Sequence, residues 1–292
     1  MKKVIVFGGS GFLGSHVADA LTDNGYDVTI FDTIESPWLR DSQKMVIGDI
    51  LDSNSLNTLL ENVFAVYNFA AIADLNEAID KPIETVKINI LGNVNILEAC
   101  KNNNVKKFIY ASSVYVNSRE GGFYKCSKNA SEDYVVEYGL KYGLDYTILR
   151  YGSLYGPRSD DHNGLFRIVK KALDSNKIIY SGSKETIRQY IHVQDAAKAS
   201  VEALANEYNN EILILSGQES MKVYDVLKML AEILGDNYTV EFNDDHQIGH
   251  YIRSPYALKN NIGKKFIPNI YTDLGQGLLE LINNINNNEK TF

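Results

Sequence analysis

Tyr124 and Lys128 stand four residues apart at the start of a helical stretch, which puts both side chains on one face. A tyrosine with a pKa near 10 is a poor base at neutral pH, roughly three units from where a proton acceptor works well. A lysine cation beside it favours the phenolate and lowers that value, and a positively charged nicotinamide ring would act in the same sense. The pair is therefore a candidate for moving a proton to and from an alcohol. Spacing alone does not select it, because Tyr180/Lys184 and Tyr224/Lys228 repeat it. The first crosses Gly182 between two predicted strands and cannot form one helical face. The second falls on a helix too far along the chain to follow the nucleotide-domain strands. Tyr124/Lys128 instead follows a strand that ends in hydroxyls, Ser112-Ser113, which can hydrogen-bond an oxygen being oxidised or reduced.

A second cluster suits an anion. Gly8-Gly9-Ser10-Gly11-Phe12-Leu13-Gly14 joins an apolar strand to a helix-period segment. Glycines at Gly8, Gly11 and Gly14 permit a tight turn, close approach of backbone to a diphosphate, and close packing of helix on sheet. The free N–H groups of that helix start then receive the phosphates. Asp32 closes the second strand, eighteen residues beyond Gly14. A carboxylate there accepts hydrogen bonds from a ribose diol and repels a 2′-phosphate, so the expected dinucleotide is NAD and not NADP.

The elements that must hold these groups follow from periodicity. Short apolar runs at Lys3–Phe7, Asp27–Phe31, Met45–Ile47, Val63–Phe69, Lys107–Tyr110 and Thr147–Tyr151 read as buried strands. Between them lie helical stretches at Phe12–Asn24, Ser53–Glu61, about Ile83 to Asn103, and from the Tyr124/Lys128 region to about Tyr142. The alternation predicts an α/β fold, a Rossmann-type doubly wound parallel sheet with helices on both faces. Beyond Gly156 the pattern shifts to short strands (Ile178–Tyr180, Gln189–Val193, Glu211–Leu215, Thr239–Phe242) and helices (Asn163–Ser175, Asp195–Ala205, Lys222–Leu234, Asp273–Asn284). This predicts a dinucleotide domain of residues 1–156 with about 185–205, and a smaller mixed α/β substrate-binding lobe of 157–184 and 206–292.

Composition sets limits on function. The chain has 292 residues, 45% of them hydrophobic, enough for a sizeable core. Its formal net charge of −8, with no Lys/Arg cluster, argues against nucleic acid or an anionic membrane as partner. Two cysteines, Cys100 and Cys126, cannot make a disulfide framework or a four-ligand zinc site. The start, Lys2-Lys3 and a four-residue apolar run, is far too short for a signal peptide, and a cytoplasmic location is expected. His246 and His250 have a spacing that metal sites use, yet no third ligand pattern accompanies them, so no metal is expected. Cys126 sits beside the tyrosine–lysine pair without a placed base, so it is not read as a nucleophile.

With these residues in place, the sequence resembles the extended short-chain dehydrogenase/reductase family, in particular its NAD-dependent nucleotide-sugar epimerase/dehydratase group. The likeness is carried by the Gly8–Gly14 loop, Asp32, Gly48-Asp49-Ile50, Asn68-Phe69-Ala70-Ala71, Asn89 with Leu91-Gly92, and Ala111-Ser112-Ser113. Further carriers are Tyr124 with Lys128, Leu149-Arg150-Tyr151, Leu154-Tyr155-Gly156-Pro157-Arg158 and Arg188-Gln189-Tyr190-Ile191-His192-Val193. The resemblance implies that Asp49 and Ile50 border the adenine and that Ala70 and Ala71 line the cofactor. It makes Tyr124 the acid/base, Lys128 its partner, Ser113 rather than Ser112 the hydroxyl donor, and Arg188 the grip on a nucleotide diphosphate. It also implies a homodimer formed through the Ile83–Asn103 helix and the helix after Lys128.

Three departures from the group's pattern narrow the expectation. Ten residues, Val114 to Phe123, separate Ser113 from Tyr124, where many relatives have a longer sugar-contacting segment. The acidic pair that the group's dehydratases carry beside the hydroxyl residue is replaced by Ser112-Ser113-Val114-Tyr115, which disfavours 4,6-dehydration. Asp244-Asp245-His246 stands where a second diphosphate-binding arginine often sits, with Arg253 as a possible substitute. The expected function is a nucleotide-sugar 4-epimerase working by transient oxidation at C4. A net 4-dehydrogenase or 4-ketoreductase is the alternative, and a non-catalytic dinucleotide sensor or scaffold is a third reading.

Overall fold

The computed structural model describes residues 1–235, 237–243, 264–266 and 271–289. Asp244, Asp245, His246, His250 and Arg253 lie outside the described residues.

Eight strands form one sheet: β1 (Lys3–Phe7), β2 (Asp27–Asp32), β3 (Lys44–Ile47), β4 (Ala65–Asn68), β5 (Lys107–Ser113), β6 (Asp145–Tyr151), β7 (Glu211–Leu215) and β8 (Lys264–Phe266). They lie in the order β8-β7-β6-β5-β4-β1-β2-β3, and every neighbouring pair is parallel. Chain order reverses between β1 and β4, the crevice where ligands of doubly wound sheets bind. The fold class expected from the sequence is what the structure has.

Side-chain alternation along each strand splits the core in two. Val4, Val6, Tyr67, Ile109, Leu149 and Leu213 point to one face, where the Phe12–Asp23 helix contributes Val17 and Leu21 and the Val193–Glu202 helix contributes alanines. Ile5, Phe7, Val66, Phe108 and Ile148 point to the other, against Ile96, Leu97 and Cys100 of the Asn93–Asn102 helix and Val135 of the Gly122–Tyr142 helix. With both faces covered, these strands need the unbroken apolar runs that made them readable.

A third core lies under the C-terminal half. Leu165 and Val169, Leu227 and Leu230, and Leu278 and Leu281 come from three helices, Gly164–Ser175, Val223–Leu234 and Leu274–Glu289. The large sheet nevertheless takes β7 and β8 from the segment 206–292 that the sequence reading gives to the smaller lobe. Leu213, Ile214 and Leu215 are nearly fully buried, so this run extends the central sheet beside β6.

Other elements also differ. The strand expected at Gln189–Val193 is Tyr190–His192, pairing parallel with Ser153–Tyr155, and a further short strand just before it, Ile187–Arg188, pairs antiparallel with Met221–Lys222. The expected Ile83–Asn103 helix opens as an α-turn at Pro82–Thr85 and widens to a π-helix over Val86–Gly92 before returning to α. Among the described residues no helix is long and apolar enough to cross a membrane.

Candidate active site

The glycine loop leaves β1 and opens the Phe12–Asp23 helix. Gly11 caps that helix without a side-chain hydrogen bond, and the first turn holds no acidic residue, so its N–H groups face a space that suits an anion. A Cβ on Gly14 would lie 2.2 Å from the Gly8 carbonyl oxygen, so helix and loop touch only because Gly14 has none. Asp32 braces the same loop. One carboxylate oxygen accepts the Ser10 backbone N–H at 3.0 Å, the other the Thr33 N–H at 2.8 Å.

Ser10, Gly11, Phe12, Asp32, Asp49, Ile50, Ala70 and Ala71 all line one cavity of about 580 Å³. It adjoins a second of about 480 Å³ that holds Leu13, Gly14, Ser113, Tyr124 and Lys128. Gly8, Gly11, Phe12, Phe69, Ala71 and Asp160 line both, so the two are continuous. The arrangement fits a dinucleotide laid across the sheet's switch point, from the end of β2 to the end of β5.

Tyr124 and Lys128 rise from the first turns of the Gly122–Tyr142 helix, and both are buried. Burial pushes the Tyr124 phenol up to about 12, partly offset by a hydrogen bond with Ser113. Burial pushes the Lys128 ammonium down to about 8, partly offset by Glu132. Lys128 donates to the Ala111 carbonyl at 2.8 Å and lies 5.8 Å from the Tyr124 ring centroid. An ammonium beside a phenol, with a second hydroxyl bonded to that phenol, can hold an alcohol oxygen and exchange a proton with it.

Strand alternation separates the two serines. Ser113 accepts the Tyr115 backbone N–H at 3.3 Å and meets Tyr124, whereas Ser112 donates to Glu132. Glu132 is in turn held by Arg150 of β6 through Nε–Oε1 at 2.9 Å and Nη2–Oε2 at 2.6 Å. Sequence reasoning missed Glu132 as part of this machinery. The signal was its position four residues after Lys128 and eight after Tyr124, on the same helical face.

The ten residues between Ser113 and Tyr124 begin with a 3₁₀ turn, Val114–Asn117, and the Tyr115 ring meets Tyr124 edge-on at 6.4 Å. Asn89 stands in the π-helical stretch. Its side-chain amide exchanges two hydrogen bonds with the Ile72 backbone and donates to Ser127 at 2.8 Å, while its backbone carbonyl accepts from Ser131. It thereby ties the loop after β4 to the Tyr124 helix.

Trp38 and Arg158 were also missed. They line the cavity next to Asp32 and Asp49, with the guanidinium 4.9 Å from the indole centroid and tied to Asp19 at 2.7 Å. Arg188 is brought to neither cavity. It is buried in its short strand, and Nη1 donates to the Ile187 carbonyl at 3.1 Å.

A parallel sheet with a glycine-loop dinucleotide cleft that runs on to a buried tyrosine–lysine pair defines an enzyme that interconverts alcohols and ketones with a nicotinamide cofactor. More narrowly, the chain belongs to the NAD dependent epimerase/dehydratase family, whose sequence profile matches residues 4–215. Its cofactor is NAD, as the sequence led one to expect.

Among curated relatives, the chain is 29% identical to a putative UDP-glucose 4-epimerase of Methanocaldococcus jannaschii, over 99% of this chain and 100% of that protein. It is equally identical to a UDP-N-acetyl-alpha-D-glucosaminuronate decarboxylase of Bacillus cytotoxicus, over 80% of each. Among solved structures, a UDP-glucuronic acid 4-epimerase from Bacillus cereus, in complex with UDP-glucuronic acid and NAD, superposes with a TM-score of 0.85 at 25% identity, covering 98% of this chain and 99% of that one.

Proposed function

We propose that the protein is a nucleotide-sugar 4-epimerase. The observation that carries this reading is the hydrogen-bonded Ser113–Tyr124 pair, with Lys128 beneath it, facing the cavity that continues into the glycine loop. The Gly8–Gly14 loop holds the cofactor's diphosphate, Asp32 its adenine ribose, Asp49 and Ile50 the adenine, and Ala70 and Ala71 the wall behind. Bound NAD supplies the acceptor for a hydride from the sugar's C4 and the donor for its return.

The chain's own groups handle the proton and the oxygen. Ser113 and Tyr124 hold the C4 oxygen between them. Tyr124 takes its proton as the carbonyl forms and gives it back when the alcohol is restored. The Lys128 cation favours the phenolate through that interval. The cavity must let the keto sugar turn, so that the second reduction meets the opposite face.

Incubation with UDP-glucose and UDP-N-acetylglucosamine tests this, with GDP- and dTDP-hexoses as further substrates. Inversion at C4 without net NADH is the expected result. Stoichiometric NADH would mean a net 4-oxidoreductase, and no turnover of any of them would defeat the epimerase reading.

We also propose a cytoplasmic homodimer. Ile83, Val86 and Leu91 of the 82–102 segment, with Tyr134 and Leu140 of the Gly122–Tyr142 helix, expose apolar surface (70%, 53%, 49%, 46% and 76% accessible) that a second copy would cover. Sedimentation at micromolar concentration should give twice the chain mass, and a monomer there would remove this proposal.

A further inference from the structure

We infer that the reaction cavity takes a neutral hexose and rejects a hexuronate, and that Asp160 is the principal discriminator. The inference rests on the nucleotide-sugar reading above, in which the sugar presents C4 to Tyr124. Carboxylates reach this cavity from two walls. Asp74 and Glu77 come from the start of the Leu75–Asp80 helix, whose Leu75 and Ala78 pack against Tyr124 itself. Asp160 comes from the loop that precedes the Gly164–Ser175 helix.

The three are not equally neutralised. Asp74 caps its helix through the Asn76 and Glu77 backbone N–H groups and has Arg167 at 3.9 Å. Glu77 is bridged by Lys81 at 3.0 Å. Asp160 accepts the His162 backbone N–H at 2.9 Å and forms no ion pair among the described residues. Lys128 is the sole lysine or arginine among the described residues lining this cavity, and its ammonium is held beneath the tyrosine by the Ala111 carbonyl.

A hexuronate carries its carboxylate on C5, the ring carbon next to C4, so the charge must come within a few ångströms of the reacting centre. An enzyme that welcomes such a group offers a guanidinium or several N–H donors. Beside the His162 ring and the Asn163 amide, this cavity offers three carboxylates, of which Asp160 has no ion pair among the described residues. For a separation of about 6 Å and an effective permittivity of about 20, one uncompensated carboxylate would disfavour the uronate by about a hundredfold. The Bacillus cereus enzyme with UDP-glucuronic acid bound shares this fold, so discrimination between the two sugars would rest on lining residues and not on the fold.

The test uses two readouts. Calorimetry on the NAD-loaded Tyr124→Phe protein compares the affinities of UDP-glucose and UDP-glucuronate, and kcat/KM for both is measured with the native enzyme. UDP-glucuronate should bind and turn over about a hundredfold less well, and adding Asp160→Asn should close most of that gap. Equal affinities overturn the inference, as does a gap that Asp160→Asn leaves unmoved. If neither ligand binds, this inference and the nucleotide-sugar reading fall together. A binding gap that responds to Asp160→Asn in a protein that inverts no sugar would defeat the epimerase reading while upholding this one.

Discussion

Tyr124→Phe lowers the rate of C4 inversion by about a thousandfold while NAD stays bound with nearly native affinity. The substitution deletes one oxygen and keeps the ring that packs against Leu75 and Ala78, so folding is little disturbed. What it removes is the phenol hydrogen-bonded to Ser113, and general acid–base catalysis of this kind is worth about 10²–10⁴-fold. Ser113 cannot take over, because an aliphatic hydroxyl is a far weaker acid than a phenol.

Burial pushes the phenol up to about 12, so a phenolate at this position depends on nearby positive charge. The Ser113 hydrogen bond offsets that burial only in part, and Lys128 is itself pushed down to about 8 by burial. Single-turnover kinetics with the NAD content of each preparation measured would decide the matter. Native activity in Tyr124→Phe on every sugar tested would sink the catalytic assignment.

How much of this could be read from the chain depends on how local each signal is. The glycine loop was legible because its constraint is steric and acts within seven residues, from Gly8 to Gly14. The parallel sheet was legible because burial on both faces forces unbroken apolar runs, as in Val4–Phe7. Strand order in the second half was not. Nothing inside Glu211–Leu215 says whether it pairs with β6 or builds a separate lobe, since an apolar run fits either.

The π-helical turn at Val86–Gly92 was hidden for a related reason. It is set by the bonds Asn89 makes to Ile72, Ser127 and Ser131, partners 17 to 42 residues away. Asp160 looked like an ordinary loop residue. The proposal for it arises only because the loop after Gly156 lines both cavities, with Asp160 common to the two. Tyr224 and Lys228 show the converse. They do share the Val223–Leu234 helix, yet that helix serves the third core and brings them nowhere near the cleft.

Glu132→Ala should cost about 3–5 kcal/mol of folding stability, a loss comparable to a third of what a typical domain has. Arg150 has 8% of its side chain exposed and Glu132 7%, and the two share two hydrogen bonds. Truncating the glutamate strands a guanidinium in the core and takes the acceptor from Ser112. Urea unfolding with an unchanged denaturant slope would measure it. Replacing both partners, Glu132→Leu with Arg150→Met, should recover most of the loss, because a well-packed apolar pair needs no compensating charge.

The recovered protein should still be slow. Glu132 is the carboxylate that supports the Lys128 ammonium against burial, so without it the lysine surrenders its proton at lower pH and helps the phenolate less. A double variant as unstable as the single one would mean that something other than a stranded charge sets the cost. A stable double variant with native turnover would mean that Glu132 holds the fold and has no part in tuning the tyrosine.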